Sequence, residues 1–156
     1  MDSLKFNVDG SARGNPGHAG ISCVLRDSNG KAVCLFSFSV GLIDSNSAEI
    51  LAIKKVVELC LFDPSLHCRV ISIVSDSKVV VSWINNDDFD SLEHVNSINY
   101  IRSHLKSWDG LEVVHASRMY NYFTDNLAKL GSSSNGDFLV NLGDLTKETF
   151  KCLTKF

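Results

Sequence analysis

Four acidic residues stand where a chain could put them to chemical use. Asp9 follows an alternating apolar run, in FNVDGSARGNPGHAG, and is followed by a glycine-rich turn. Asp76 follows a short continuous apolar run, Val70 to Val74. Glu49 sits in the first turn of a mainly apolar helical stretch, and Asp125 near the start of a later one. Taken singly, each has an ordinary explanation. Asp9 and Asp76 suit turns, and an acid near a helix N-terminus gains about 0.3 to 1 kcal/mol from the macrodipole. Taken together they imply more. Acids gathered in one place repel and raise one another's pKa unless a cation neutralises them. Oxygen ligands of this kind suit Mg²⁺ or Mn²⁺, and a pair of such ions can activate water and stabilise a leaving oxygen in phosphodiester cleavage.

The elements that must position these acids can be read from hydrophobic periodicity. Leu4, Phe6 and Val8 alternate with polar residues, as in a half-buried strand ending near Asp9. Gly20 to Arg26 and Ala32 to Val40 are rich in β-branched and aromatic residues and flank Asp27-Ser28-Asn29-Gly30, a hairpin signal. Asp44 to Ser47 offers helix caps before an apolar helix over Ala48 to Leu61, with Ala48, Ala52, Val56 and Leu59 on one face. Val70 to Val74 reads as a strand buried on both faces. Helices are predicted over Ser77 to Asn86, Glu93 to Trp108 and Asn121 to Leu130. A fifth strand is predicted over Leu111 to His115, and a short helix over Leu145 to Phe156. The order β-β-β-α-β-α-α-β-α predicts an α/β fold in which a five-stranded mixed sheet is flanked by helices.

Composition bounds the rest. The 156 residues suit one domain, with a core over about residues 4–131 and an extension over 132–156. The formal charge of −3 argues against holding nucleic acid by bulk positive charge alone, though not against a local basic strip. Cys23, Cys34, Cys60, Cys68 and Cys152 are scattered, without metal-ligand spacing, and read as buried thiols of a reducing compartment. No stretch looks like a signal peptide or a membrane span, so the chain is expected in the nucleus or cytoplasm, or as a domain cut from a longer polypeptide.

Four motifs, in order, give the chain a family resemblance. They are DGSARGNPG (Asp9 to Gly17), SNSAEILAI (Ser45 to Ile53), VSDSKVVV (Val74 to Val81) and NYFTDNLAK (Asn121 to Lys129). The chain resembles ribonuclease H of type 1, in particular the branch found in plant genomes and plant retrotransposon polyproteins. The resemblance implies the ribonuclease H-like fold and hydrolysis of the RNA strand of an RNA–DNA hybrid, leaving 5′-phosphate and 3′-hydroxyl ends. It implies two Mg²⁺ ions, replaceable by Mn²⁺, on Asp9, Glu49, Asp76 and Asp125. His115, ten residues before Asp125, falls on the family's mobile histidine, which assists proton transfer or product release.

For binding, the resemblance points to Gly10, Ser11, Ala12 and Arg13, to Asn15, to Ser45 and Asn46 at the helix entry, and to Asn121. RNA would be told from DNA by its 2′-OH. The glycines would let the backbone approach a nucleic-acid strand, while Asn15-Pro16-Gly17 is also an ordinary turn. The implied partners are an RNA–DNA hybrid and, in a longer polypeptide, a tethered reverse transcriptase or other domain; the chain itself is expected to be monomeric.

Some features depart from the family. Ser45 stands where many relatives have Asn, and Thr124 where many have Ala. Acidic Asp87-Asp88-Phe89-Asp90 replaces the basic protrusion of some relatives. These departures keep open an alternative, a catalytically weak or inactive hybrid-binding module. A related nuclease acting on structured DNA is a third reading.

Overall fold

The computed structural model describes residues 3–14, 16–67, 69–86, 93–117 and 138–141. Six strands form one mixed sheet: β1 (Ser3–Gly14), β2 (Gly17–Arg26), β3 (Ala32–Ile43), β4 (Val70–Ser75), β5 (Leu111–His115) and β6 (Phe138–Asn141). Their order across the sheet is β5-β4-β1-β2-β3-β6. The helices are α1 (Ser45–Phe62), α2 (Lys78–Asn85) and α3 (Val95–Ser107), with a short 3₁₀ turn at Pro64–Leu66.

The predicted meander is present. β1 and β2 pair antiparallel from Lys5↔Arg26 to Gly14↔Gly17, and β2 and β3 are likewise antiparallel. The turn between β2 and β3 is held by Asp27, whose Oδ1 accepts from the N–H groups of Asn29 and Lys31 at 2.9 Å each. Gly30 there has φ +80°, a conformation a Cβ would strain. β1 also pairs in parallel with β4, and β4 with β5. The five predicted strands thus stand, and β6 adds a sixth beside β3. At four residues, Phe138–Asn141 sits at the lower limit of length at which an apolar run reads as a strand. The predicted helices over 121–130 and 145–156 lie outside the described residues.

The boundary that matters most concerns β1. It does not end at Asp9 but runs on to Gly14, because the antiparallel partner β2 continues beside it. The parallel pairing with β4 stops at Asn7↔Val74. Asp9 therefore sits where β1 leaves β4, inside a strand anchored on its other edge. Nor is β1 half-buried there: Asn7 and Asp9 are buried along with Phe6 and Val8.

α1 begins at Ser45, earlier than its apolar stretch suggests, because Asp44 caps it and accepts from the Ser47 N–H at 2.6 Å. Its burial is wider than one stripe: Glu49, Ile53, Lys55 and Val57 are buried along with Ala48, Ala52, Val56 and Leu59. The helix lies on β1, β2 and β4 and also packs against α3, so more than one side is covered. Phe6, Ile21, Phe36, Ile53, Ile71, Ile73, Ile98 and Ile101 are among the largest fully enclosed side chains. Each such residue contributes about 1.5 to 3 kcal/mol on burial. Cys23, Cys34 and Cys60 are buried free thiols within this core. Burial pushes Cys34 up to about 11 and Cys60 up to about 12, so they pack as small hydrophobes.

Candidate metal centre

Three of the four predicted acids meet. Asp9 from β1, Glu49 from α1 and Asp76 just after β4 each offer a carboxylate oxygen, and these oxygens lie within 4.8 Å of one another. Two of the carboxylates are almost fully enclosed, Asp9 and Glu49 at 3% exposure each; Asp76 is half-buried and opens the group to solvent.

Local sequence explains the convergence. The even-numbered β1 residues Leu4, Phe6 and Val8 belong to the core, and Gly10 continues that face into α1. A Cβ on Gly10 would lie 2.3 Å from the Ala48 carbonyl carbon and 2.3 Å from the Glu49 nitrogen. Glycine is thus required so that β1 can touch the first turns of α1. The closeness lets the Gly10 N–H donate to Glu49 Oε2 at 2.8 Å. The space that a Cβ on Gly10 would take is filled by α1.

β4 supplies the other side. The Ser75 hydroxyl donates to Glu49 Oε1 at 2.5 Å and accepts from the Ser77 N–H at 3.1 Å. Ser77 in turn caps α2, accepting from the Val80 N–H at 3.2 Å. Asp76 is pinned between a strand end and a capped helix. Ser75 is the functional residue that sequence reasoning passed over. Its signal was a lone hydroxyl at the end of an apolar run, and the structure buries it completely.

The electrostatics are those of a site short of positive charge. Burial, and secondarily the neighbouring Asp76 charge, push Glu49 up to about 7, against the hydrogen bonds from Ser75 and Gly10 and the contact with Asp9. Asp9 makes polar contacts of its own, yet its Oδ2 atom is buried and takes no hydrogen bond among the described residues. An all-oxygen donor set with too little positive charge fits a hard divalent cation. Asp9, Glu49 and Asp76 are the described residues able to hold one.

The remaining predicted residues divide. His115 ends β5 opposite Ser75 of β4 and is exposed, so it stands at the same edge of the site as Asp76. Its neighbour Ala116 donates its N–H to the Ser75 carbonyl at 3.0 Å. Ser11, Ala12 and Arg13 extend along β1 beyond Asp9, opposite Gly20, Ala19 and His18. Ser45 and Asn46 are exposed in the first turn of α1. Asn15, Asn121 and Asp125 lie outside the described residues.

Comparison with known proteins agrees with this geometry. The chain is 29% identical over 139 residues to an Arabidopsis thaliana protein named "Putative ribonuclease H protein", a match covering 83% of this chain and 20% of that protein. It thus spans about a fifth of the length of that curated relative. Among solved structures it is similar to LC11-RNase H1, isolated from compost by a metagenomic approach. The TM-score is 0.77 at 27% identity, over 84% of this chain and 96% of that one. The same enzyme in complex with an RNA/DNA hybrid matches with TM-score 0.73 at 26% identity, over 81% and 94%. The foamy viral protease-reverse transcriptase in complex with an RNA/DNA hybrid shares the fold, with TM-score 0.67 at 19% identity over 85% of this chain and 20% of that one. A family model described as reverse transcriptase-like matches residues 7–131. With that match over most of the chain, the chain belongs to the reverse transcriptase-like family, and it has the ribonuclease H-like fold.

Proposed function

We propose that this chain hydrolyses the RNA strand of RNA–DNA hybrids with two Mg²⁺ ions, leaving 5′-phosphate and 3′-hydroxyl ends. The observation that carries the reading is the meeting of the Asp9, Glu49 and Asp76 carboxylates within 4.8 Å. The similarity to a ribonuclease H solved with its hybrid supports the choice of substrate.

Bound divalent ions supply the charge that activates water and stabilises the leaving oxygen. The chain's own residues do the rest. Asp9 and Glu49 hold fixed positions because each sits on an element whose backbone cannot shift independently: β1 is paired on β2, and α1 is seated against Gly10. Ser75 and the Gly10 N–H each bond one oxygen of Glu49, which orients its carboxylate. Asp76, the most open of the three, faces arriving substrate. Exposed His115 exchanges a proton with the departing product, the general acid–base task for which imidazole is most often used. Asp125 completes the acid set, and Asn15, Ser45, Asn46 and Asn121 contact the hybrid. The negative overall charge makes binding by the isolated chain weak and salt-dependent, and a tethered reverse transcriptase domain would raise the effective concentration.

The test is cleavage of a labelled hybrid in Mg²⁺, with double-stranded DNA and double-stranded RNA as comparison substrates. The reading expects cleavage of the RNA strand of the hybrid and its loss in Asp76→Asn with the fold retained. Hybrid binding without cleavage in the unmodified chain would instead identify an inactive binding module.

A further inference from the structure

A second group of ligand-type side chains meets where α1 begins and α3 is entered. Asp44, Glu93 and His94 each offer one ligand atom, and these atoms lie within 4.8 Å of one another. None of the three has a part in the proposed hydrolysis. Asp44 is the cap of α1, and its Oδ1 accepts from the Ser47 N–H at 2.6 Å. Glu93 reaches in from solvent, its side chain 71% exposed.

His94 is the telling member. The residue is only 9% exposed, and its ring lies on the Trp83 indole with centroids 5.7 Å apart and an interplanar angle of 28°. It occupies the N-cap position of α3 without capping it. Its Nε2 points at Glu93 Oε2 across 3.9 Å, too far for a hydrogen bond. Its ring nitrogens make no hydrogen bond among the described residues. The His94 side chain is nine-tenths buried, lies beside two carboxylates and hydrogen-bonds to neither.

We propose that Asp44, Glu93 and His94 bind a divalent transition-metal ion of the zinc class, which ties the N-terminus of α1 to the start of α3. The donor set decides the class of ion. One imidazole and two carboxylates suit Zn²⁺ or Co²⁺, whereas Mg²⁺ prefers an all-oxygen octahedral shell. Metal–ligand bonds of about 2.0 to 2.2 Å place tetrahedral donors roughly 3.4 Å apart, so the present group must contract by about 1 Å. Two members are already fixed, Asp44 by its cap and His94 by the Trp83 stack. Glu93, exposed at its side chain, closes on them, and water takes the fourth position. The consequence is structural. Asp44 precedes Glu49 by five residues on the same helix, so the ion would brace the helix that presents Glu49.

Trp83 reports on this site directly. The chain has two tryptophans, so Trp108→Phe leaves Trp83 as the sole indole. Co²⁺ is titrated into this protein with Mg²⁺ in excess to hold the Asp9, Glu49 and Asp76 centre. The expected result is saturable quenching of Trp83 fluorescence. Glu93→Gln and His94→Gln should each raise the half-saturating Co²⁺ concentration at least about tenfold, the lower limit seen even for outer-shell partners of a metal. Asp76→Asn should leave the titration unchanged, which separates this site from the hydrolytic centre. Quenching that does not saturate, or a Glu93→Gln curve that overlays the parent's, overturns the proposal. Glu93 is exposed and its loss does not threaten folding, so that variant decides the matter even where His94→Gln fails to fold.

Discussion

Glu49→Gln should remove a pH dependence of folding that the buried carboxylate imposes. Glu49 titrates at about 7 in the folded protein against 4.5 in an unperturbed chain, chiefly because burial penalises its charge. For an acid raised in this way, the folded state holds a proton that the unfolded chain gives up. Stability therefore falls as pH rises from 4.5 towards 7, and levels off above it. With about 1.36 kcal/mol per pKa unit, the loss between pH 5 and pH 8 amounts to about 2 to 3 kcal/mol. Gln keeps the shape: its oxygen accepts from the Gly10 N–H, and its amide donates to Ser75 Oγ in place of the present acceptor. Urea denaturation in chelator, at steps from pH 5 to 8, measures both proteins. Every other ionisable side chain is common to both proteins, so the difference between the two curves isolates Glu49. Mn²⁺ should flatten the wild-type curve, since a cation stabilises the ionised carboxylate, and leave Glu49→Gln nearly unmoved. Parallel curves for the two proteins in chelator would refute the argument that Glu49 is a buried, charge-deprived acid.

Gly10→Ala should destabilise the fold by about 3 kcal/mol or more, at or above the usual upper limit for overpacking, because the added carbon meets α1 backbone rather than a side chain that can turn away; thermal denaturation checks it. Ser75→Ala withdraws the buried hydroxyl from Glu49 Oε1 and should cost about 1 to 3 kcal/mol while raising the Glu49 pKa further, read from the same urea series. His115→Ala, on an exposed strand end, should leave stability unchanged and slow hybrid cleavage about 10- to 100-fold with a flatter pH–rate profile near neutrality. Unchanged turnover would make His115 a spectator. Asp9→Asn should reduce the rise in melting temperature produced by Mn²⁺; an equal rise in both proteins would place the ion elsewhere.

The sequence by itself determined the order of elements from β1 to β5 and the identity of the three acids that meet. Period-two alternation in β1 and the Asp27–Gly30 turn define local structure, because strand pleating and turn dihedrals depend on residues close in the chain. The Asp44 cap was legible for the same reason. The motif resemblance then named Asp9, Glu49 and Asp76 as a set, and the structure brings those three together. What the sequence did not decide were matters of contact between distant segments. The continuation of β1 past Asp9 depends on β2 lying beside it, a partnership that no pattern within β1 expresses. β6, four residues long, exists as a strand only because β3 offers an open edge. Ser75 became part of the site because α1 brings Glu49 within 2.5 Å of it, although 26 residues separate them. That the Cβ space of Gly10 is filled by α1 is likewise a matter of packing. The Asp44, Glu93 and His94 group carries no spacing motif, since its members come from either side of β4 and α2 and meet only when α1 and α3 pack. Chain-local chemistry is written in the sequence; the burial that raises the Glu49 pKa, and the convergence that gives the carboxylates a use, arise from packing.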